Sequence, residues 1–195
     1  LFFTSDWTAI SYRDSSRAFL MKNLSYDHVS FGHDIETAYL LLEAEHTLGA
    51  GHDGKTRLVA KKMIDHTLDH GFDKNFSGIV DAGYYFRENA PITILRNDKV
   101  WWCQAEGLNA LLLFAKLHPE EKRYRQAFLL LWDYVKTYFI DHRYGDWYIH
   151  GVDQNPAYRT ERKAEAWKTA YHNGRSLMNA ADLLLGKGAL HSLIH

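Results

Sequence analysis

The chain has 195 residues, room for one domain with a sizeable core. A net charge of -1 at pH 7 gives no electrostatic footprint for nucleic acid or an anionic membrane surface. No apolar run approaches the ~18 residues of a membrane span, and the single cysteine, Cys103, excludes an intrachain disulfide and fits a reducing, cytoplasmic compartment.

The compositional departure lies in the rings: 6 Trp, 12 Tyr and 10 Phe beside 12 His. Rings that are not in the core suit a neutral polar ligand such as a sugar, whose C–H faces stack on them. The opening Leu1-Phe2-Phe3-Thr4-Ser5-Asp6 has neither a basic n-region nor a long apolar run, so no signal peptide is expected. It also lacks an initiating Met, which points to a segment of something longer.

Residues 1–29 show no clear period and read as loop or short strand around Asp6-Trp7 and Tyr26-Asp27-His28. A first helix is expected over about 33–48, capped by Ser30, with Asp34 and Glu36 in its first turn and Gly49 and Gly51 stopping it. Its middle, Ala38 to Leu42, is apolar nearly all round, as in a helix buried on more than one side. A second helix over about 55–70 carries Ala60, Met63, Ile64, Thr67 and Leu68 on one face and Lys61, Lys62, Asp65 and Asp69 on a wet one. Residues 72–97 form a long connection punctuated by glycines, with Ile79-Val80 and Tyr84-Tyr85-Phe86 as short strands.

A third helix is expected over about 99–117, with one stripe from Trp101 to Ala115 and another through Trp102, Glu106, Asn109 and Leu113. After a turn at His118-Pro119, a fourth helix over about 120–139 buries Tyr124, Phe128, Leu131, Val135 and Tyr138. A second long connection, 140–169, holds a hairpin arm at 144–149. A fifth helix starts near Tyr171 and stops at Gly186. Odd helices are apolar round much of their girth and even ones are amphipathic. The pattern predicts an all-α chain of successive inner and outer helical hairpins, as in an α/α toroid, with short β-hairpins in the long loops.

In such a ring all odd helices start at the same end. His33, then Trp102 and Glu106, then His172 therefore converge there. Two imidazoles facing one pocket can take a proton from a carbon acid and return one near neutral pH. Abstraction α to a sugar carbonyl gives an enediol; the returning proton inverts the centre or, on the neighbouring carbon, makes a ketose. Glu36, one turn from His33, either orients that ring, accepts a sugar hydroxyl or forms a structural ion pair. Trp102 and Trp167 stack on sugar faces or, for Trp102, pack the core. Glu106 is an acceptor for sugar hydroxyls. Arg175, on the His172 face, polarises an oxygen or pairs with a carboxylate. His28, His46, His52, His66, His70 and His118 read as surface or turn residues. No residue set has metal-ligand spacing, so no metal and no cofactor is expected.

At these residues the sequence resembles the N-acylglucosamine 2-epimerase superfamily, most of all its cellobiose 2-epimerase branch. The resemblance rests on Gly32-His33-Asp34-Ile35-Glu36 leading into a Leu-rich helix, Val100-Trp101-Trp102-Cys103-Gln104-Ala105-Glu106, Gly145-Asp146-Trp147 with Gly151-Val152-Asp153, and Trp167-Lys168 before Tyr171-His172-Asn173-Gly174-Arg175. It implies an (α/α)6 barrel of which this chain is about the second half. It also implies a metal-free epimerisation at C2 of the reducing-end glucose of a β-1,4-linked disaccharide. By the same carry-over His33 and His172 are the acid/base pair, and Glu36, Trp102, Glu106 and Trp167 line the sugar site. Ala170 stands where the branch usually has proline. A missing first half or a second chain is then needed to complete the ring. The readings that compete are an aldose–ketose isomerase or N-acylglucosamine epimerase on the same barrel, a glycoside hydrolase using Glu36 and Glu106 as paired carboxylates, and a non-catalytic sugar-binding module.

Overall fold

The computed structural model describes residues 16–49 and 54–194; the readings at Asp6-Trp7 and the stop at Gly51 lie outside them. Its centre is helix α4, Trp101–Leu117, numbered here after α1 (Arg17–Lys22), α2 (Phe31–Leu48) and α3 (Lys55–His66). Every residue of α4 from Cys103 to Phe114 is buried. A helix that is apolar all round has no wet face to offer, so it must be covered on every side. The cover comes from α2, from α5 (Lys122–Tyr138) and from α6 (Tyr171–Leu185), all of which pack on α4. Each fully buried Leu of α4 contributes roughly 1.5–3 kcal/mol of apolar transfer. Gly107 lets the neighbours close in, since a β-carbon there would run into Ile79 and Leu131.

α3 packs on α2 and α5 on α4, so α2, α4 and α6 form an inner row and α3 and α5 an outer one. Ala60, Ile64, Thr67 and Leu68 of the α3 segment are buried as expected, while the helix passes into a π turn over Thr67–Gly71 rather than running on as α-helix to residue 70. Its wet face is not uniformly wet. Lys61 and Asp65 pair with each other at 2.9 Å, Lys61 reaches Glu121 at 3.0 Å, and Tyr124 donates to Asp65 at 2.6 Å, which joins α3 to α5. His66 is likewise no simple surface residue: its Nε2 lies 2.8 Å from the Tyr85 hydroxyl.

The stretch read as loop before residue 29 contains α1, capped by Ser16 accepting from the Phe19 amide, and a 3-10 turn over Leu24–Tyr26. Six residues are too few to show a helical period. Three short strands form one antiparallel sheet: β1 (Val29–Ser30), β2 (Ala82–Tyr84) and β3 (Thr93–Arg96), in that order. Val29 faces Gly83, and Gly83 faces Ile94. The sheet corrects two expectations. Ile79 forms only an isolated bridge to Phe72, and the strand ends at Tyr84 instead of running through Phe86. The hairpin arm at 144–149 reduces to a single bridge, Ile140 to Trp147.

Both long loops are tied to the start of α4. The Gln104 side chain donates to the Ile79 carbonyl and accepts from the Ile79 amide, and the Trp101 amide donates to Ile149. α6 is anchored by Ser176, whose hydroxyl donates to the Ala105 carbonyl at 2.5 Å. Its outward side leaves Met178, Leu184 and Leu185 exposed, the apolar edge expected of part of a ring. The architecture is a mostly helical portion of an (α/α)6 barrel with a small sheet in its loops. No helix among the described residues is long and apolar enough to cross a membrane.

Candidate active site

The first turns of α2, α4 and α6 face one another. On α2, His33, Glu36 and Tyr39 follow at three-residue steps, which keeps them on neighbouring parts of one face. On α4 Trp102 and Glu106 are one turn apart, and on α6 His172 and Arg175 are. Gly32 permits the close approach of α2 to α4, since a β-carbon there would fall 2.5 Å from both the Trp102 ring and Cys103 Sγ.

The Trp102 indole is the meeting point. Its centroid lies 4.6 Å from the His33 ring and 5.8 Å from the His172 ring. Two imidazoles from helices 139 residues apart in sequence thus touch one indole. Each ring is held through Nδ1. Ser30 Oγ lies 2.7 Å from Nδ1 of His33, and Glu106 Oε1 lies 2.5 Å from Nδ1 of His172. Ser30 occupies the cap position of α2 but makes no capping bond; it spends its hydroxyl on the imidazole instead.

Glu36 does not orient His33. Its carboxylate accepts from Arg175 Nη2 at 2.7 Å, and the same nitrogen donates to Glu106 Oε1 at 2.6 Å. Arg175 Nη1 donates to the Tyr171 hydroxyl at 2.5 Å. Burial disfavours the Arg175 cation, but its bonds to Glu106 and Glu36 outweigh this and hold its pKa above the usual guanidinium range. Glu106 is 0% exposed, and its second oxygen accepts from the Tyr39 hydroxyl at 2.7 Å. A carboxylate so enclosed is not an open acceptor for sugar hydroxyls. Burial, then the Glu106 charge, push the Tyr39 phenol above its ordinary range, so it stays a donor. Burial likewise pushes up the carboxyl of Glu43, one turn beyond Tyr39, against the pull of Arg175.

Glu36, Glu106 and His172 bring ligand atoms within 4.8 Å of one another. The Arg175 guanidinium already supplies the positive charge between the two carboxylates, at hydrogen-bond distance from each, so this donor set does not fit a divalent cation. Trp167 stands apart. It is 83% exposed, and none of the hydrogen bonds, ion pairs or ring contacts that join the other five sequence-derived residues reaches it. Its neighbour Lys168 is buried and paired with Asp146 at 2.8 Å, which fixes the loop below it.

Sequence reasoning missed Tyr39, which it read as part of an apolar helix middle, and the partner role of Ser30. The signal for Tyr39 was its three-residue step from Glu36 on the face of His33. Arg175 was singled out, and of its two readings the structure realises the carboxylate pair.

Residues 2–176 match the family model described as N-acylglucosamine 2-epimerase (GlcNAc 2-epimerase). The cellobiose 2-epimerase of Bacteroides fragilis is 28% identical over 176 residues, covering 90% of this chain and 39% of that protein. The D-mannose isomerase of Marinomonas mediterranea is 39% identical over 114 residues, 58% of this chain and 27% of that one. A crystal structure of D-mannose isomerase superposes with a TM-score of 0.70 at 25% identity, covering 92% of this chain and 43% of that one. The match therefore spans between about a quarter and two-fifths of the length of these relatives. With the match running through nearly its whole length, and with the helical rows and the imidazole pair it brings together, the chain belongs to the N-acylglucosamine 2-epimerase family.

Proposed function

We propose that the chain carries the proton-transfer half of a sugar 2-epimerase acting on the reducing-end glucose of a β-1,4-linked disaccharide of the cellobiose type. The observation that carries this reading is the placement of His33 and His172 against the single indole of Trp102. In the open-chain sugar, one imidazole takes the C2 proton. The C–H electron pair moves into the C1–C2 bond and the carbonyl π pair moves onto O1, which takes a proton from water to give the enediol and returns it to water when the carbonyl re-forms. The other imidazole returns a proton to the opposite face of C2, and the carbonyl re-forms.

The supports of the two rings suit this exchange. An ionised Glu106 accepts from His172 Nδ1–H, so the neutral ring offers its Nε2 lone pair as base. Ser30 can donate or accept, so His33 can work as acid or base through Nε2. Trp102 supplies a stacking face for the sugar. Glu36 acts through Arg175 and Glu106 by keeping the guanidinium in place. Trp167, exposed at the end of its loop, is assigned a second stacking face. Further chain or a second copy completes the ring over the exposed α6 edge, in keeping with the share of the relatives' length that this chain spans.

A second reading, aldose–ketose isomerisation, is favoured by the 39% identity to the D-mannose isomerase of Marinomonas mediterranea. It shares the first proton abstraction and returns the proton to C1. A hydrolase using Glu36 and Glu106 is disfavoured, because both carboxylates bind one guanidinium and Glu106 is fully buried.

Proton NMR of cellobiose in D2O with the purified protein tests this. Loss of the C2–H signal with growth of a mannose-type anomeric signal is the expected result. Loss with a ketose product moves the assignment to the isomerase, and no exchange at high protein concentration overturns catalysis by this chain on this sugar.

A further inference from the structure

No proton-transfer step above uses Tyr39, yet it is fully buried and points its hydroxyl into the cluster. We propose that Tyr39 is a positioning residue: its hydroxyl clamps Oε2 of Glu106 so that Oε1 stays on His172 Nδ1 and the imidazole presents Nε2 to the sugar, an inference that rests on the proton-transfer role assigned to His172. Three observations carry it. The carboxylate is an acceptor-only group with two oxygens, and Arg175 and His172 both engage Oε1, leaving Oε2 to Tyr39 alone among the described hydrogen bonds. The terminal torsion of a Glu side chain is broad and roughly two-fold, so contacts to one oxygen do not fix the plane of the group. A donor on the second oxygen does.

The third observation is Asn109, one turn after Glu106 on α4. It is fully buried with its amide close enough to the Tyr39 hydroxyl to pull the phenol's pKa down, yet neither its nitrogen nor its oxygen makes a hydrogen bond of normal length and angle among the described residues. Without the hydroxyl, the carboxylate is free to turn toward this amide or wholly onto Arg175. Either motion breaks its contact with His172. The ring of Tyr39 also lies under the Arg175 guanidinium, 5.6 Å away, a contact that phenylalanine keeps.

The test is Tyr39→Phe, read in two ways. Nitrogen-15 NMR of the neutral His172 ring reports its tautomer whether or not the protein turns over sugar. The wild type is expected to show one tautomer, with the proton on Nδ1, and the variant a mixture. Where C2–H exchange is measurable, kcat is expected to fall roughly ten- to a hundredfold with KM little changed. An unchanged tautomer in a folded variant, with any rate loss following thermal stability alone, overturns the proposal. Should the variant not fold, the wild type decides. A Tyr39 phenolic proton and a His172 Nδ1 proton both protected from solvent support the clamp, and a rapidly exchanging phenolic proton overturns it. Absence of sugar exchange in the wild type counts against the epimerase reading and leaves the tautomer result standing.

Discussion

Oε1 of Glu106 is shared by His172 Nδ1 at 2.5 Å and Arg175 Nη2 at 2.6 Å, so one buried oxygen ties the imidazole to the guanidinium. The arrangement uses a single negative charge twice. It orients the ring and it holds the cation that also binds Glu36. Low local dielectric makes such a network strong when complete and costly when one member is removed.

Glu106→Gln removes that charge with little change of shape. The amide can still accept from Tyr39 or meet His172, but not with the charge-assisted strength of the carboxylate. C2–H exchange is expected to fall by ~10²–10⁴, the usual weight of a well-placed acid–base group. The unfolding free energy is expected to drop by about 1–3 kcal/mol, because Arg175 keeps only one of its two carboxylate partners, Glu36. Exchange kinetics and urea unfolding measure the two separately. A variant with wild-type exchange shows that Glu106 is structural only.

The histidine pair gives a prediction that single-base chemistry does not. With His33→Ala or His172→Ala, conversion between the two epimers is expected to fall by at least ~10². Each variant keeps one base, so each is expected to exchange the C2 proton of one epimer without inverting it, and the two variants are expected to prefer opposite epimers. Deuterium incorporation into glucose-type and mannose-type substrates, measured separately, checks this. Equal loss for both substrates in both variants argues against two facing bases.

Much of this arrangement was legible in the sequence, and for a definite reason. Helix α4 and the middle of α2 are apolar nearly all round and α3 and α5 are amphipathic, so hydrophobic period set these two rows apart; α6, with only Ser176 and Leu183 buried, is itself amphipathic, and the expectation of an apolar girth fails there. Once helices of one row are aligned, residues at their starts must meet. His33, Trp102, Glu106 and His172 needed nothing more to be brought together. The wiring among them was less legible. Glu36 lies one turn from His33, and local spacing favours that pair. The structure gives Glu36 to Arg175, a partner 139 residues away. Hydrogen bonds across helices depend on rotation about each helix axis, which a one-dimensional pattern does not specify. The strands were harder still, since two- to four-residue strands carry too little alternation to set their register.

Acid is expected to loosen the two long loops. Lys163 at 2.7 Å, with the backbone N–H groups of Tyr144 and Arg143, holds the Asp141 carboxyl at about 2, below its ordinary 3.8. Burial pushes Asp73 and Asp146 up, but Lys99 and Lys168 respectively, together with backbone amides, outweigh this and leave both lowered. Groups lowered in the folded state contribute stability that is present above the unfolded value and lost as pH falls through the folded one. Stability is therefore expected to hold from neutral pH down to about pH 5 and to decline below pH 4 toward pH 2. Circular dichroism with urea unfolding across this range measures it. Lys163→Met, by releasing Asp141, is expected to lower the stability at neutral pH and to shrink the loss between pH 4 and pH 2; an acid loss of unchanged size in that variant removes Asp141 from the account.

Gly32→Ala tests how tightly the indole is seated. A β-carbon at this position meets Trp102 and Cys103 at 2.5 Å, inside normal contact. Cys103 is fully buried and has no room to retreat, whereas Trp102 is only partly buried, so the indole is the side that must move. Overpacking of this kind costs about 1–3 kcal/mol in stability. The displaced indole changes its distance to both imidazoles, which now stand 4.6 and 5.8 Å from it. Both sugar stacking and the geometry of proton transfer are then disturbed, so KM is expected to rise and kcat to fall together. Trp102→Phe, which keeps a ring but shortens it, is expected to relieve the clash when combined with Gly32→Ala and to restore part of the lost stability. Thermal unfolding of the two single variants and the double variant decides the matter. Strict additivity of the three values shows that Gly32 and Trp102 do not press on each other, and a positive coupling of about 0.5 kcal/mol or more shows that they do.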